Sequence, residues 1–451
     1  MVNTYTDYKD SKIEWVGKIP EHWNVTSVGK VYEITLGKML QPTQLSSKDE
    51  FVPYLKAMNV QDGYLKTDTI DKMYASRSDI DNLKILSGDL LVCEGGEVAR
   101  SVVIKKDLDR MIFQNSLHRV RSYQNNDVTF LHYYLISLRN SGFVDILVNR
   151  ATIAHFTKDK FKSLKMPLPG IGEQKEIMKF LNKRTREIED LITRKEILIN
   201  LLEEKRQSMI TEAVTKGLNP NVKMKDSGVE WIGEIPEHWE VKRVKHIAAK
   251  GNYSLVDGPF GSDLKNEEYK DEGVPIIQLN NIRNGEHLFN NIKYVTEEKS
   301  RQLSKHTAVP GDLVIAKMAH PVGRSAIVKR NFEKYVIVAD CIKLSLDKNY
   351  YNRFINYTMN TAYFISQAEL VAGGITRLRI NLGDLKQLKL FIPPYQEQLE
   401  ICGYLDVKVR GIDNSIALVT EQIQKLKDYR QSLIYEAVTG KIDVRDFEVE
   451  S

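Results

Sequence analysis

The feature that most constrains this chain of 451 residues is a long helix that cannot bury itself, present twice. Residues 173–215 read EQKEIMKFLNKRTREIEDLITRKEILINLLEEKRQSMITEAVT. Apolar residues recur at Ile177, Leu181, Ile188, Leu191, Leu198, Leu202 and Met209 in steps of three, four and seven, with polar gaps at Arg184, Lys195 and Lys205. That is a heptad seam. At 1.5 Å per residue such a helix spans about 63 Å, too long for one small core. Shifted by 224 positions it returns without a gap: Glu397-Gln398 falls on Glu173-Gln174, and Ile401, Leu405, Ile412, Leu426 and Leu433 fall on the seam. RQSMITEAVT at 206–215 becomes RQSLIYEAVT at 430–439. One copy would suit a surface helix or a homodimer, but two copies in one chain predict an intramolecular pair. The heptads alone leave its direction, parallel or antiparallel, open.

A second repeat precedes each half. Residues 10–28, DSKIEWVGKIPEHWNVTSV, match 226–244, DSGVEWIGEIPEHWEVKRV, at 12 of 19 positions, and these blocks hold all four tryptophans. Their Gly and Pro content predicts a docking turn rather than a regular element. Tryptophans placed identically before divergent segments read as framework in preference to base-stacking groups. Trp15, Trp23, Trp231 and Trp239 are also the candidate partner-binding anchors.

Between block and helix lie segments that share a plan but little identity. In 24–168, the runs FVPYLKA (51–57), GDLLVCE (88–94) and ARSVVIKK (99–106) predict strands, and FLHYYLISLRN (130–140) predicts a helix. In 240–392, PGDLVI (310–315) falls on SGDLLV (87–92), Asn281 on Asn59, Arg324 on Arg100, and Thr376 on Thr152. The predicted organisation is a block (1–23), a variable domain (24–168), a helix (169–218), a linker and block (219–239), a variable domain (240–392), a helix (393–441) and a tail (442–451). Near-identical helices with divergent domains describe two heads that read different things. A duplex, with successive groove turns about 34–36 Å apart, suits two such heads.

The chain resembles the DNA specificity (S) subunits of type I restriction–modification systems. The resemblance rests on DSGVEWIGEIPEHWEV and its first copy, on PLPGIGEQKEI and IPPYQEQLEI where the helices begin, and on the twin EAVT helix ends. It covers essentially the whole chain. It implies an α+β fold: two α/β target-recognition domains in a pseudo-two-fold repeat, separated by two long helices packed as an antiparallel coiled coil that acts as a ruler. It implies a non-catalytic subunit reading a split, asymmetric double-stranded DNA site, with two modification (methyltransferase) subunits and restriction (translocase/nuclease) subunits as partners. No cofactor is expected on this chain; S-adenosylmethionine would sit in the methyltransferase, and ATP and Mg in the restriction subunit. Two departures stand out. Gly170-Ile171-Gly172 replaces a second proline, which is expected to loosen the start of the first helix, and Ser415 and Gln422 are expected on the second seam.

Composition agrees with a DNA reader that has partners. A net charge of +5 excludes a large polybasic tail, so any DNA surface must be local, and a free-standing bipartite DNA-binding regulator (the alternative) would carry a stronger basic footprint. Three dispersed cysteines, Cys93, Cys341 and Cys402, argue for a reducing compartment and against zinc or disulfides. With no long apolar run, the expected location is the cytoplasm, away from membranes. The catalytic motifs fail on inspection. Residues 392–395 read IPPY, where an amino-methyltransferase needs Asn or Asp first, and Ile392 cannot hold an amino group. There is no GxxxxGK[ST] phosphate loop. GPFGSD (258–263) reads as a surface loop, and no HExxH or Cys-His cluster is present.

Base reading needs Arg or Lys for guanine and Asn or Gln for adenine, while phosphate contacts orient without specifying. The candidates in the first domain are Lys38, Gln41, Lys56, Asn59, Arg100, Arg119, Arg150, Thr152 and His155. In the second they are Lys265, Gln278, Asn280, Asn281, Arg283, Lys317, Arg324, Thr376, Arg377 and Arg379. Because Arg100 and Arg324 recur, they read as phosphate or structural groups, and the matched Thr152 and Thr376 as phosphate contacts or turn stabilisers. His118 and His320 read as surface or internally satisfied residues.

Overall fold

The computed structural model describes residues 4–123, 125–147, 156–229, 232–283, 285–318, 320–374 and 378–447. The chain divides into two compact units, residues 1–196 with 420–451, and residues 197–419. Each unit therefore contains one recognition domain, part of each long helix and one Trp block.

In the first unit, four antiparallel strands lie in the order Tyr32–Leu36, Leu117–Ser122, Leu90–Cys93, Ser101–Val103. Beside them Glu50–Leu55 pairs antiparallel with Asp71–Ala75 and parallel with Ile112–Phe113. The strand runs predicted around 51–57, 88–94 and 99–106 are present, and the predicted helix is Val128–Asn140, capped by Asp127. The second unit repeats the order: Leu255–Asp257, Cys341–Leu344, Leu313–Ala316, Ser325–Ile327. Its strand Val274–Ile277 pairs parallel with Tyr335–Ile337, in the same relation as the first unit's parallel pair. Little of this likeness shows in side-chain identity, because a strand needs only apolar, β-branched or aromatic residues at alternating positions.

The long helices run Ile171–Lys216 and Tyr395–Val438. Their pairing is antiparallel within the first unit, where Arg430 meets Glu189 at 3.1 Å and Lys195 donates to Gln422 at 2.6 Å. In the second unit Arg206 meets Asp413 at 2.6 Å, and Ala213 and Val214 share a core with Ile401, Cys402 and Leu405. The seam differs from the predicted one. Leu191 and Leu198 are exposed, and the covered positions run Ile188, Ile192, Lys195, Ile199, Leu202, Arg206, Met209. These steps of four and three keep one stripe on the partner helix, whereas 191 and 198 belong to a neighbouring stripe. Lys195 is a polar member as predicted, and Thr185 and Arg206 replace Arg184 and Lys205 as the other two. On the second helix Ser415 and Gln422 are exposed, and Ile416 and Ile423 take the covered places.

The helix starts are locked alike, so the expected loosening at Gly170-Ile171-Gly172 does not occur. Gln174 donates to the Pro169 carbonyl and Gln398 to that of Pro393, each at 3.0 Å, and both glutamines are buried. Both helices end on glycine with positive φ, Gly217 at +75° and Gly440 at +70°, where the left-handed turn disfavours a side chain.

The Trp blocks are framework. Each contains a two-stranded ribbon, Tyr8–Asp10 with Lys18–Pro20 and Met224–Asp226 with Glu234–Pro236. Trp23 and Trp239 are fully buried, edge-on to Phe130 and Phe354. A buried indole is not available to a partner, so both are removed from the partner-binding candidates. Trp15 is half-buried against Tyr134, and Trp231 lies outside the described residues. His22 bonds Glu173 at 3.0 Å and His238 bonds Glu397 at 2.8 Å, tying each block to the helix start of its own unit.

Candidate nucleic-acid interface

Each recognition domain carries a one-turn 3-10 helix at the end of its central strand, Ala57–Asn59 in one and Leu279–Asn281 in the other. Asparagine closes both turns from inside. Asn59 accepts the Lys56 amide at 3.0 Å and donates to the Lys66 and Thr69 carbonyls. Asn281 accepts the Gln278 amide at 2.9 Å and donates to the carbonyls of Leu288 and Asn290. A buried amide with its oxygen and both hydrogens engaged has no bonds left for a base. Asn59 and Asn281 therefore hold the turn and do not read adenine, contrary to the sequence expectation.

Arginine braces the same turn. Arg100 donates to the Ala57 carbonyl at 2.9 Å and pairs with Glu97 at 3.1 Å. Arg324 donates to the carbonyls of Leu279, Ile282 and Pro321, and burial holds its guanidinium below the usual arginine range. Of the two readings open for the recurring pair, the structural one holds. Arg119 is buried as well, donating to the Asn82 and Lys84 carbonyls at 2.9 and 2.8 Å, and Lys317 is buried on Asp257 at 2.8 Å. Neither faces solvent as a reader would. His118 is buried, 2.8 Å from the Phe156 carbonyl, and burial lowers its pKa. Exposed His320 pairs with Glu369 at 2.8 Å.

What remains outside is different in the two units. The position before the turn is Lys56 in one, paired with Asp71 at 2.5 Å, and Gln278 in the other. The position before the closing asparagine is exposed Met58 in one and exposed Asn280 in the other. Gln278 and Asn280 line a cavity of about 410 Å³ together with Pro259, Tyr269 and Asp340. Arg283 and Lys265 are exposed near it in sequence, and Arg379 is half-exposed, 3.9 Å from Asp340. Lys38 pairs with Asp79 at 2.9 Å, and Gln41 ties its own loop to Asp49 at 2.9 Å. Arg150, Thr152, His155, Thr376 and Arg377 lie outside the described residues. Sequence reasoning passed over Met39, Met58 and Phe260, all exposed, because it searched for polar side chains. The glycines before Met39 and Phe260 were the available signal.

Among the described residues no group of three His, Cys, Asp or Glu could hold a metal ion, and no helix is long and apolar enough to cross a membrane.

The family model described as the type I restriction modification DNA specificity domain matches twice, over residues 20–201 and 236–428. The chain is 23% identical over 444 residues to the type I restriction enzyme MjaVIII specificity subunit of Methanocaldococcus jannaschii, covering 95% of each. It is 22% identical to the StySPI specificity subunit of Salmonella potsdam, covering 94% of this chain and 90% of that one. A solved chain from the type I R-M system, in a study of its complex assembly and conformational transition, superposes with a TM-score of 0.71 at 17% identity, covering 94% of this chain and 99% of that one. The HsdS subunit from Thermoanaerobacter tengcongensis gives 0.51 at 16% identity, covering 94% and 98%.

Proposed function

The chain belongs to the type I restriction–modification DNA specificity family, and we propose that each of its units reads one half of a split, asymmetric DNA target. The observation that carries this reading is the pair of braced turns. The asparagine and arginine that hold them are the same in both units, while the exposed position is Met58 in one and Asn280 in the other, and the half-buried position before the turn is Lys56 in one and Gln278 in the other. A common frame with different outward chemistry is what two half-sites of different sequence require.

The chain itself is non-catalytic in this reading and carries no cofactor. It delivers two modification subunits to the site, and they transfer a methyl group from S-adenosylmethionine to a flipped adenine. Restriction subunits using ATP and Mg join the same complex in the cytoplasm. The helix pair sets the gap between the half-sites. Four residues added to both helices, about 6 Å of rise each, lengthen the permitted gap and leave both half-sites unchanged.

The test is to co-express the chain with type I modification subunits and map methylated bases across the host genome. Two constant halves with a fixed gap, methylated once on each strand, are expected. Methylation of a short continuous palindrome would overturn the two-headed reading.

A further inference from the structure

Two exposed apolar side chains occupy matched places beside the proposed base readers, and the backbone behind each is built the same way. Gly37 donates its amide to the Leu117 carbonyl and Gly258 to that of Cys341, positions 224 apart. A Cβ on Gly37 would collide with the carbonyl oxygen of Gln114, and one on Gly258 with that of Val338, so only glycine passes here. Gln114 in turn donates its amide to the Leu55 carbonyl at 2.8 Å, and Val338 to that of Ile277 at 3.2 Å. Leu55 and Ile277 immediately precede Lys56 and Gln278. In each unit the glycine is thereby clamped one strand away from the residue that opens the reading turn.

Two residues beyond each glycine the chain turns outward. Met39 is 75% exposed and Phe260 82% exposed. Their bases are fixed. Lys38 is held by Asp79 and exchanges backbone bonds with Phe113 and Asn115, Pro259 is buried, and the Phe260 carbonyl accepts the Asp263 amide at 2.8 Å. Pro259 lines the same cavity as Gln278 and Asn280. A large apolar side chain held out to water on a clamped backbone is costly unless it is covered in use.

We propose that Met39 and Phe260 are apolar fingers that press on the bases of the half-site read by their own unit. This rests on the reading of the chain as a DNA specificity subunit. Methionine and phenylalanine are side chains that proteins insert at base steps, and phenylalanine also packs on bases and on the thymine methyl. Polar neighbours supply the directional bonds. The finger adds contact that depends on the bases beneath it, and its rigid stem avoids an ordering cost on binding.

The experiment uses the full chain assembled with its modification subunits. The genomic methylation motif of the wild type is compared with Phe260→Ser, Met39→Ser and the conservative Phe260→Leu. Duplexes bearing that motif then carry 2-aminopurine in place of single adenines in each half. Phe260→Ser is expected to weaken binding about tenfold, to relax base preference in one half only, and to abolish a 2-aminopurine fluorescence change confined to that half. Met39→Ser does the same in the other half, and Phe260→Leu retains most of the wild-type behaviour. Both exposed sites tolerate serine without a change in thermal midpoint. A wild-type complex that methylates a split motif, with both serine variants matching it in motif and affinity, overturns the fingers alone. A wild-type complex that methylates no split sequence overturns the specificity reading and the fingers with it.

Discussion

The side-chain oxygen of Gln398 accepts the backbone amide of Tyr351 at 2.8 Å, joining the start of the second long helix to the recognition domain of its unit. The first unit has the same lock, with Gln174 accepting the Asp127 amide at 3.1 Å. Each glutamine also donates to the carbonyl just before its helix, so one buried amide bonds both the domain and the helix start. Replacing Gln398 with alanine leaves a buried donor and a buried acceptor unpaired and is expected to cost about 2–3 kcal/mol. Urea unfolding monitored by tryptophan fluorescence measures it; a loss below 0.5 kcal/mol, about the size of a surface substitution, would show that the lock carries no weight.

The braces predict a separation between stability and specificity. Arg324→Ala frees three carbonyls in the second unit and is expected to destabilise by about 2–3 kcal/mol while leaving the methylated sequence unchanged. Asn280→Ala, at an exposed position, should do the opposite. If Arg324→Ala altered a base in the motif at full stability, the assignment of Arg324 to the frame would be wrong.

All three thiols are buried, and burial raises Cys93 to about 11 and Cys341 and Cys402 to about 12. Since the thiolate is the reactive form, the folded chain at pH 8 should resist an aromatic disulfide reagent, and all three should react in denaturant. Rapid labelling of any one in the native protein would contradict the packing described.

Burial pushes His132 and His287 down to about 4 from an ordinary value of 6.5. His132 accepts or donates to Ser101 at 2.9 Å, with Asp62 and Arg139 nearby, and His287 takes the Lys329 amide on Nδ1 at 3.3 Å. Below pH 6.5 the unfolded chain takes up protons that the folded chain refuses, so stability is full above that pH and falls down to about pH 4. The slope is at most about 1.4 kcal/mol per pH unit for each histidine. Denaturation midpoints between pH 7 and 5 test this, and His287→Gln should flatten the second unit's share. An unchanged slope in that variant would remove His287 from the explanation.

The candidate residues sorted themselves by a rule that composition does not contain. Asn59 and Asn280 are both asparagines following a strand-like apolar run, and in sequence they make equally good adenine readers. Asn59 sits where a one-turn helix must be closed and is consumed by Lys66 and Thr69; Asn280 sits one place earlier and faces out. The heptad seam erred for a similar reason. Leu191 and Ile192 are adjacent apolar residues on neighbouring stripes, and only the partner helix chooses between them.

The repeat, the two long helices, the strand and helix positions and the family were determined by sequence alone. Each depends on spacing within a few turns of chain, or on copying over long stretches, and both are visible in one dimension. Which polar groups read DNA, which brace the reading turn, and which apolar residues stand out as fingers were decided by tertiary structure. Arg324 reaches Leu279 across 45 positions, and Gly37 meets Gln114 only once the sheet has formed. Hydrogen-bond satisfaction is settled by such distant partners, and a side chain that satisfies the fold is no longer available to the ligand.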